Sequence, residues 1–571
     1  MLSRVTVSGT MMLRSIWHCA IPVMLFLLMP SVTWAQTSLL GEGIEDFEYW
    51  ENLCKLHISA AKEATAEEKE EEYSQALVAC EHAIALRPKD VNIWVEHSGI
   101  LLNTEQYSEA IASANQALRF EAAHSLAMTY QCIAYGALNQ AEAALERCNE
   151  ALRVNDNWGE RNPSLAWVYR GIILAQEEYY VQAVQAYDLA LSVEPQYAFA
   201  LTKKCEAHLM LLLTSQANQS CERALAANQL WGEASPAIAW TLLGTIHTQE
   251  EKPDEAISAY DRVLGLDPTN AFIWAAQGQV LENLDHNLAH NLEHNEEALV
   301  SYEQAVIFKP DFARALLGKC RVLNRLSRYK DALTACDAAL SGDGDWGDDT
   351  LANAWHERSI ALTGKGEYEE ALASSNRAVG LASNYAAAFN QRSIIYWYLK
   401  QYDEAIDANT QALVIDDSSD DVWFTRGLIF RARTEYPRAL AAYDRGLGLN
   451  PYNHWAWTNR SMVLWEMGDY GEALVSVEEA IRINDSSVQV WYNKGAAQSA
   501  LGDYEGAIET YGHVLVLDER YAAALTGRGI ARFYLGEDEA AMEDLRAALV
   551  LNPEDELAKE TLETLTTAME E

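Results

Sequence analysis

The chain has 571 residues, of which 84 are acidic and 42 basic, for a formal charge of −42. A surface this negative repels a phosphate backbone, which argues against nucleic acid as a partner and equally against a bare anionic membrane. With 49% hydrophobic residues and no second spanning-length apolar segment, the chain can bury an extensive core.

At the N-terminus, Arg4 and Arg14 precede the apolar run Ile21 to Met29, which leads into Ser31, Thr33 and Ala35. Basic, apolar and small-residue segments in that order are the pattern of a secretory leader over residues 1–35, cut after Ala35. The apolar run is short for a membrane span, so an uncleaved anchor is the lesser alternative. Cys19 precedes the apolar core instead of following it, which argues against lipid attachment. Removing 1–35 leaves eight of the nine cysteines. An even set in a chain sent to an oxidising compartment fits disulfides, so the expected location is extracytoplasmic, secreted or periplasmic. Residues 36–45 form a short lead.

From residue 46 to 554 the sequence repeats itself. An alanine that usually follows Tyr-x-x recurs at Ala76, Ala110, Ala144, Ala183, Ala217, Ala256, Ala298, Ala332, Ala371, Ala405, Ala439, Ala473, Ala507 and Ala541. The common interval is 34 residues, and four intervals are longer. Each unit holds two runs with apolar residues three and four apart, the pattern of paired amphipathic helices. The fourth unit carries Trp167, Gly171 and Leu174, then Tyr180, Ala183, Tyr187, Ala190 and Pro195. Units six, eleven and thirteen repeat it with Trp240/Gly244, Trp423/Gly427 and Trp491/Gly495. These residues resemble the tetratricopeptide repeat family over essentially everything beyond residue 46. The resemblance implies an all-α, right-handed superhelical solenoid of about 14 helix-turn-helix repeats. A lone helix pair cannot bury both its apolar faces, so the units must stack. Residues 555–571 read as a polar-faced capping helix.

Eight cysteines occupy two positions of the unit, position 8 on the first helix and position 24 on the second. The other repeats show that these positions meet. Gly171, Gly244, Gly278, Gly427 and Gly495 accompany Tyr187, Tyr260, Tyr302, Tyr443 and Tyr511, and Gly529 accompanies Leu545. Ser359, Ser393 and Ser461 accompany the smaller Ser375, Asn409 and Val477. Such an exchange of volume follows from close packing at one contact. Four intra-repeat disulfides are therefore expected: Cys54–Cys80, Cys132–Cys148, Cys205–Cys221 and Cys320–Cys336. Cysteine-free units separate most of these repeats, putting cross-repeat pairs beyond the roughly 7 Å Cα reach of a disulfide. Reduced, buried cysteines are the alternative, and zinc lacks nearby histidines at ligand spacing.

Insertions break the period. Five residues follow repeats 3, 5 and 8, near 159–163, 232–236 and 347–351, and bring in Trp158, Trp231 and Trp346. A two-repeat cassette has been copied. Its tryptophans are expected to tuck over the hairpin edge, the alternative being a row of aromatic platforms for a glycan. Repeat 7 carries eight extra residues near 285–294, with His286, His290 and His294 four apart. On one helix they would share a face able to hold zinc, copper or nickel. One extra turn on each helix of the hairpin would split them, so no metal and no cofactor is assigned.

The family resemblance implies a concave groove lined by positions 2, 5, 9 and 12 of the first helices. In repeats 10 to 13 these include Asn390, Ile394, Trp397, Phe424, Leu428, Arg431, Trp455, Thr458, Met462, Trp465 and Tyr492. Aromatic residues with arginine dominate interfaces, so this stretch is the candidate ligand-binding groove; burial by neighbouring repeats is the alternative. The Lys/Asn clamp that family members use for C-terminal carboxylates is missing. Basic residues gather at position 7 instead, among them Lys204, Arg358, Arg460 and Lys494, where pairing with adjoining repeats is expected. The repeats leave no room for a catalytic domain, and no P-loop, Gly-x-Ser-x-Gly or His-Glu-x-x-His occurs. The expected function is an extracytoplasmic scaffold or adaptor, not an enzyme, whose groove binds a protein or peptide. An envelope carbohydrate-binding or polysaccharide-handling array is the alternative.

Overall fold

A computed structural model describes residues 46–64, 66–232, 234–284 and 291–570. The leader, its cut after Ala35, the lead to 45, and His286 and His290 lie outside the described residues. Two compact units divide the chain, Met1–Pro310 and Asp311–Glu571. Among the described residues there are 29 helices and no strand. The first unit contains helix hairpins 1 to 7. The second contains hairpins 8 to 14 and a terminal helix.

The two helices of a hairpin approach closely because the contact between them is built from small residues. The marker alanines are fully buried or within 1% of it. At position 8 glycine makes room for a ring. A Cβ added to Gly171, Gly244 or Gly427 would overlap Tyr187, Tyr260 or Tyr443, and one added to Gly495 would lie 2.7 Å from Tyr511. In repeat 14 the aliphatic Leu545 takes the place of the ring, 2.9 Å from a Cβ built on Gly529. Cysteine fills the same contact in repeats 1, 3, 5 and 8, with Cα–Cα distances of 5.3, 5.3, 5.4 and 5.3 Å and a disulfide in each. In repeats 2 to 6 and 8 to 14 the chain turns between the two helices through a single left-handed residue, glycine at Gly366, Gly468, Gly502 and Gly536 but, for example, Glu178, Leu212 or Lys400 in others. Non-glycine residues are strained there by contact of Cβ with the following carbonyl.

Successive hairpins are joined by two recurring bonds. Position 7 reaches back to position 25 of the preceding repeat: Lys204 to Asp188 at 2.6 Å, Arg358 to Asp337 at 2.7 Å, Arg460 to Asp444 at 2.8 Å and Lys494 to Glu478 at 3.1 Å. Neutral versions are Gln277 to Asp261 at 2.7 Å and Gln131 to Asn115 at 2.9 Å. Position 4 supplies the second bond. The indole N–H groups of Trp94, Trp274, Trp423 and Trp491 donate to the backbone carbonyls of Pro88, Pro268, Asp417 and Asp485 at 2.7–3.0 Å. Each indole thereby fixes the turn that enters its own repeat.

The five-residue insertions close on the repeat they follow. The carbonyls of Asp156 and Asn157 accept from the N–H groups of Ser125 and Leu126, and those of Gln229 and Leu230 accept from Ala198 and Phe199. These donors open the first helices Ser125–Ala137 and Ala198–Met210, whose leading N–H groups have no partner within the helix. After repeat 8 the Asp343 side chain accepts from Ala313 N at 3.0 Å and does the same for the helix Ala313–Arg325. The glycine after each tryptophan sits at positive φ: 58° at Gly159, 57° at Gly232 and 62° at Gly347. Trp158, Trp231 and Trp346 are half-buried. The first two spend their indole N–H on Asn155 at 3.1 Å and Asn228 at 3.4 Å.

In repeat 7 the described helices are Ala271–Glu282 and Asn291–Phe308. His294 lies on the second, with Nδ1 3.5 Å from Glu297 Oε2. No group of three or more potential metal ligands occurs among the described residues. At the C-terminus the helix Glu556–Glu570 lays Ala558 and Leu565 on Leu545. Asp555 caps it by accepting from Ala558 N at 3.1 Å.

Candidate binding groove

The second unit contains a cavity of about 460 Å³ where the first helices of three consecutive repeats face one another. These are Leu351–Lys365 in repeat 9, Ala386–Tyr398 in repeat 10 and Asp420–Ala432 in repeat 11. Five of the groove residues expected from sequence line it: Asn390, Ile394, Trp397, Phe424 and Leu428. Each comes from position 5, 9 or 12, so one helical stripe per repeat supplies the wall. Position 8, about 100° around the helix from position 9, is turned into the hairpin, so Ser393 and Gly427 are buried while Ile394 and Leu428 stay partly open.

The other expected residues divide. Trp455 and Trp465 are the most open, at 59% and 44% exposure, but they do not line the cavity. Met462 is half-buried. Arg431 is held by Asn459, with Nη1 3.1 Å from Oδ1. Tyr492 is packed between Tyr511 and Tyr521, with ring centroids 5.9 and 5.4 Å away, and belongs to its hairpin core. Thr458 is buried and turns its hydroxyl back onto His454 O at 2.7 Å, so it offers nothing to a ligand. Asn390 is also largely buried, though it borders the cavity.

Reading from repeat 10 onward missed several wall residues. His356 and Ile360 occupy positions 5 and 9 of repeat 9, and Asp421 occupies position 2 of repeat 11. The same positional rule finds them when applied one repeat earlier and from the first turn. Asp416 and Ser419 come from the turn before the repeat 11 helix and carry no positional signal.

The electrostatics of the cavity are one-sided. Its lining includes Asp416 and Asp421 and no lysine or arginine. Hydrogen bonds from Ser418, at 2.6 Å from the hydroxyl and 2.9 Å from the backbone N–H, hold the Asp416 carboxyl below its ordinary range. Desolvation, with the neighbouring Asp420 second, pushes Asp421 up. Burial lowers His356, keeping the imidazole neutral, and its Nδ1 has no hydrogen-bond partner. The indole nitrogen of Trp397 is likewise buried without one. Both atoms are closed to solvent, so the face the cleft offers is its apolar wall and the two carboxylates.

The tetratricopeptide repeat family matches residues 214–271, 287–349, 390–454, 424–488, 458–512 and 492–556, which together span half of the chain. Among curated proteins none matches. Solved structures similar to the chain include the APC/C hetero-tetramer Cut9–Hcn1, at 14% identity over 91% of this chain and 96% of that one, with a TM-score of 0.41. A tetratricopeptide repeat protein from Parabacteroides merdae matches at 18% identity over 47% and 99%, with a TM-score of 0.38. YrrB, described as having an unusual peptide-binding site, matches at 19% identity over 33% and 96%, with a TM-score of 0.31.

Proposed function

The chain belongs to the tetratricopeptide repeat family, and from that premise we propose that it is an extracytoplasmic scaffold, without catalysis, that holds a protein or peptide partner in the groove of its second unit. The carrying observation is the cavity itself, built by matching positions of three consecutive first helices and lined by Ile394, Trp397, Phe424 and Leu428. An apolar cleft with a few polar groups is the usual form of a recognition site. Four disulfides and the leader pattern support the compartment. No helix among the described residues is long and apolar enough to cross a membrane. The carbohydrate reading draws less support, because Trp158 and Trp231 hold their own loops instead of presenting open faces.

The test is a cross-linked pull-down from an envelope extract with the wild-type chain and with Leu428→Arg. The expected result is a stable protein partner recovered by the first and lost by the second. Glycan retained by the purified chain in the absence of any other protein contradicts the scaffold. For the compartment, expression with and without residues 1–35 is compared. The full sequence is expected to yield a chain without free thiols, and the truncated one a reduced chain.

A further inference from the structure

We infer that the cavity of repeats 9 to 11 takes a peptide segment in which a large apolar side chain lies within a few residues of a lysine or arginine. The inference rests on the groove being the binding face, and it adds the chemistry of the occupant.

Three features select that chemistry. The floor is apolar: Ile360, Ile394, Phe424 and Leu428 enclose a volume suited to one or two large side chains. The half-buried ring of Trp397 gives the cleft an aromatic wall on which an apolar side chain packs. At the turn preceding the repeat 11 helix and in that helix's first turn, Asp416 and Asp421 add two carboxylates to a lining with no cationic side chain.

The position 7 arginines nearby keep their charge, bonding neutral groups, but they do not line the cavity, and no cation shifts Asp416 or Asp421. Arg426 bonds Asn409 and Thr410 at 3.1 and 3.3 Å, and Arg392 bonds Asn376 at 3.5 Å. A cation on the ligand therefore meets carboxylates without a resident competitor. An acidic segment is repelled both there and by the charge of the whole chain.

The experiment is panning of a random heptapeptide display library on the full oxidised chain, followed by calorimetric titration of the synthetic form of the most enriched peptide. Enriched sequences are expected to share an apolar residue close to lysine or arginine. Affinity is expected to fall at least tenfold in the double variant Asp416→Asn/Asp421→Asn, and to weaken with added salt in the wild type. Asparagine keeps the Asp416 acceptor for the turn, so the variant is expected to fold, and circular dichroism checks it. Enriched peptides without a basic residue, or with affinity unchanged in the double variant, overturn the inference. If those peptides still lose binding with Leu428→Arg, the groove stands and the charge pairing falls. If neither variant matters, or if nothing is enriched, the groove reading falls as well.

Discussion

The indole N–H of Trp457 donates to the backbone carbonyl of Pro451 at 2.8 Å. A side chain in the first turn of one helix thus ties down the loop by which the chain entered it. Trp457→Phe keeps an aromatic ring for Arg460, which lies 5.8 Å from its centroid, and removes the bond alone. The expected loss is about 1 kcal/mol, read as a lower urea midpoint with an unchanged slope.

Gly427 and Tyr443 fill one contact, so Gly427→Ala is expected to cost about 1–3 kcal/mol by overpacking. The combination Gly427→Ser/Tyr443→Asn reproduces the pair Ser393/Asn409 of repeat 10 and is expected to recover part of that loss. A thermodynamic cycle over the wild type, Gly427→Ser, Tyr443→Asn and their combination should give a coupling clearly different from zero. Additive effects contradict the shared contact.

Cys132→Ala/Cys148→Ala opens one hairpin staple and is expected to lower stability by about 3 kcal/mol, from the loop-closure entropy returned to the unfolded chain. Thiol titration of the unfolded chain before reduction is expected to find no free thiol among the eight paired cysteines. Peptide mapping is expected to link cysteines of the same repeat, and a link between repeats would refute the assignment.

Leu212 is 76% exposed and holds φ at 58° in the turn of repeat 5. Little packing is lost on its removal, and the backbone strain is relieved by glycine, the residue used at the same turn in repeats 9, 12, 13 and 14. Leu212→Gly is expected to stabilise the chain by about 0.5–1 kcal/mol. A fall in thermal midpoint contradicts this.

Burial pushes His97 down to about 4 from an ordinary 6.5. The folded pKa lies below the unfolded one, so the unfolded chain takes up a proton first as pH falls. The stability linked to His97 is complete above pH 6.5 and is lost between pH 6.5 and 4, at most on the order of 3 kcal/mol. His97→Gln can still bond Ser113, which His97 Nδ1 meets at 2.8 Å. Its stability is expected to vary less over that range than the wild type's, as measured by chemical unfolding at pH 7, 5.5 and 4.5.

Much of the architecture was legible because the same contact is sampled fourteen times. Volume traded between Gly427 and Tyr443, or Ser393 and Asn409, is visible in the letters alone, and the structure puts Tyr443 against Gly427. The stripe Ile394, Trp397, Phe424 and Leu428, named from the family resemblance by position, lines one cavity. What escaped was backbone chemistry. The bond from Trp457 to a carbonyl six residues back, and the return of Asp156 and Asn157 onto Ser125 and Leu126, depend on where the main chain points; the tryptophan recurs at position 4, but its carbonyl partner has no side-chain signature. Nor did position alone separate Thr458, which bonds its own helix, from exposed Trp455 three residues earlier. His356 was missed because the rule was started one repeat late.

Every disulfide closes on its own hairpin, and none crosses from one repeat to the next. Covalent stiffness is therefore confined to the links, while the joints are held without cross-links, by the position 7 bonds and by apolar packing such as that of Ile173 on Cys132 and Cys148. In mechanical terms the chain is riveted within segments and only packed between them. Oxidation hardens four segments without locking any hinge, leaving the spacing of the groove wall to be set by the joint bonds of repeats 9 to 11, which contain no covalent cross-link at all.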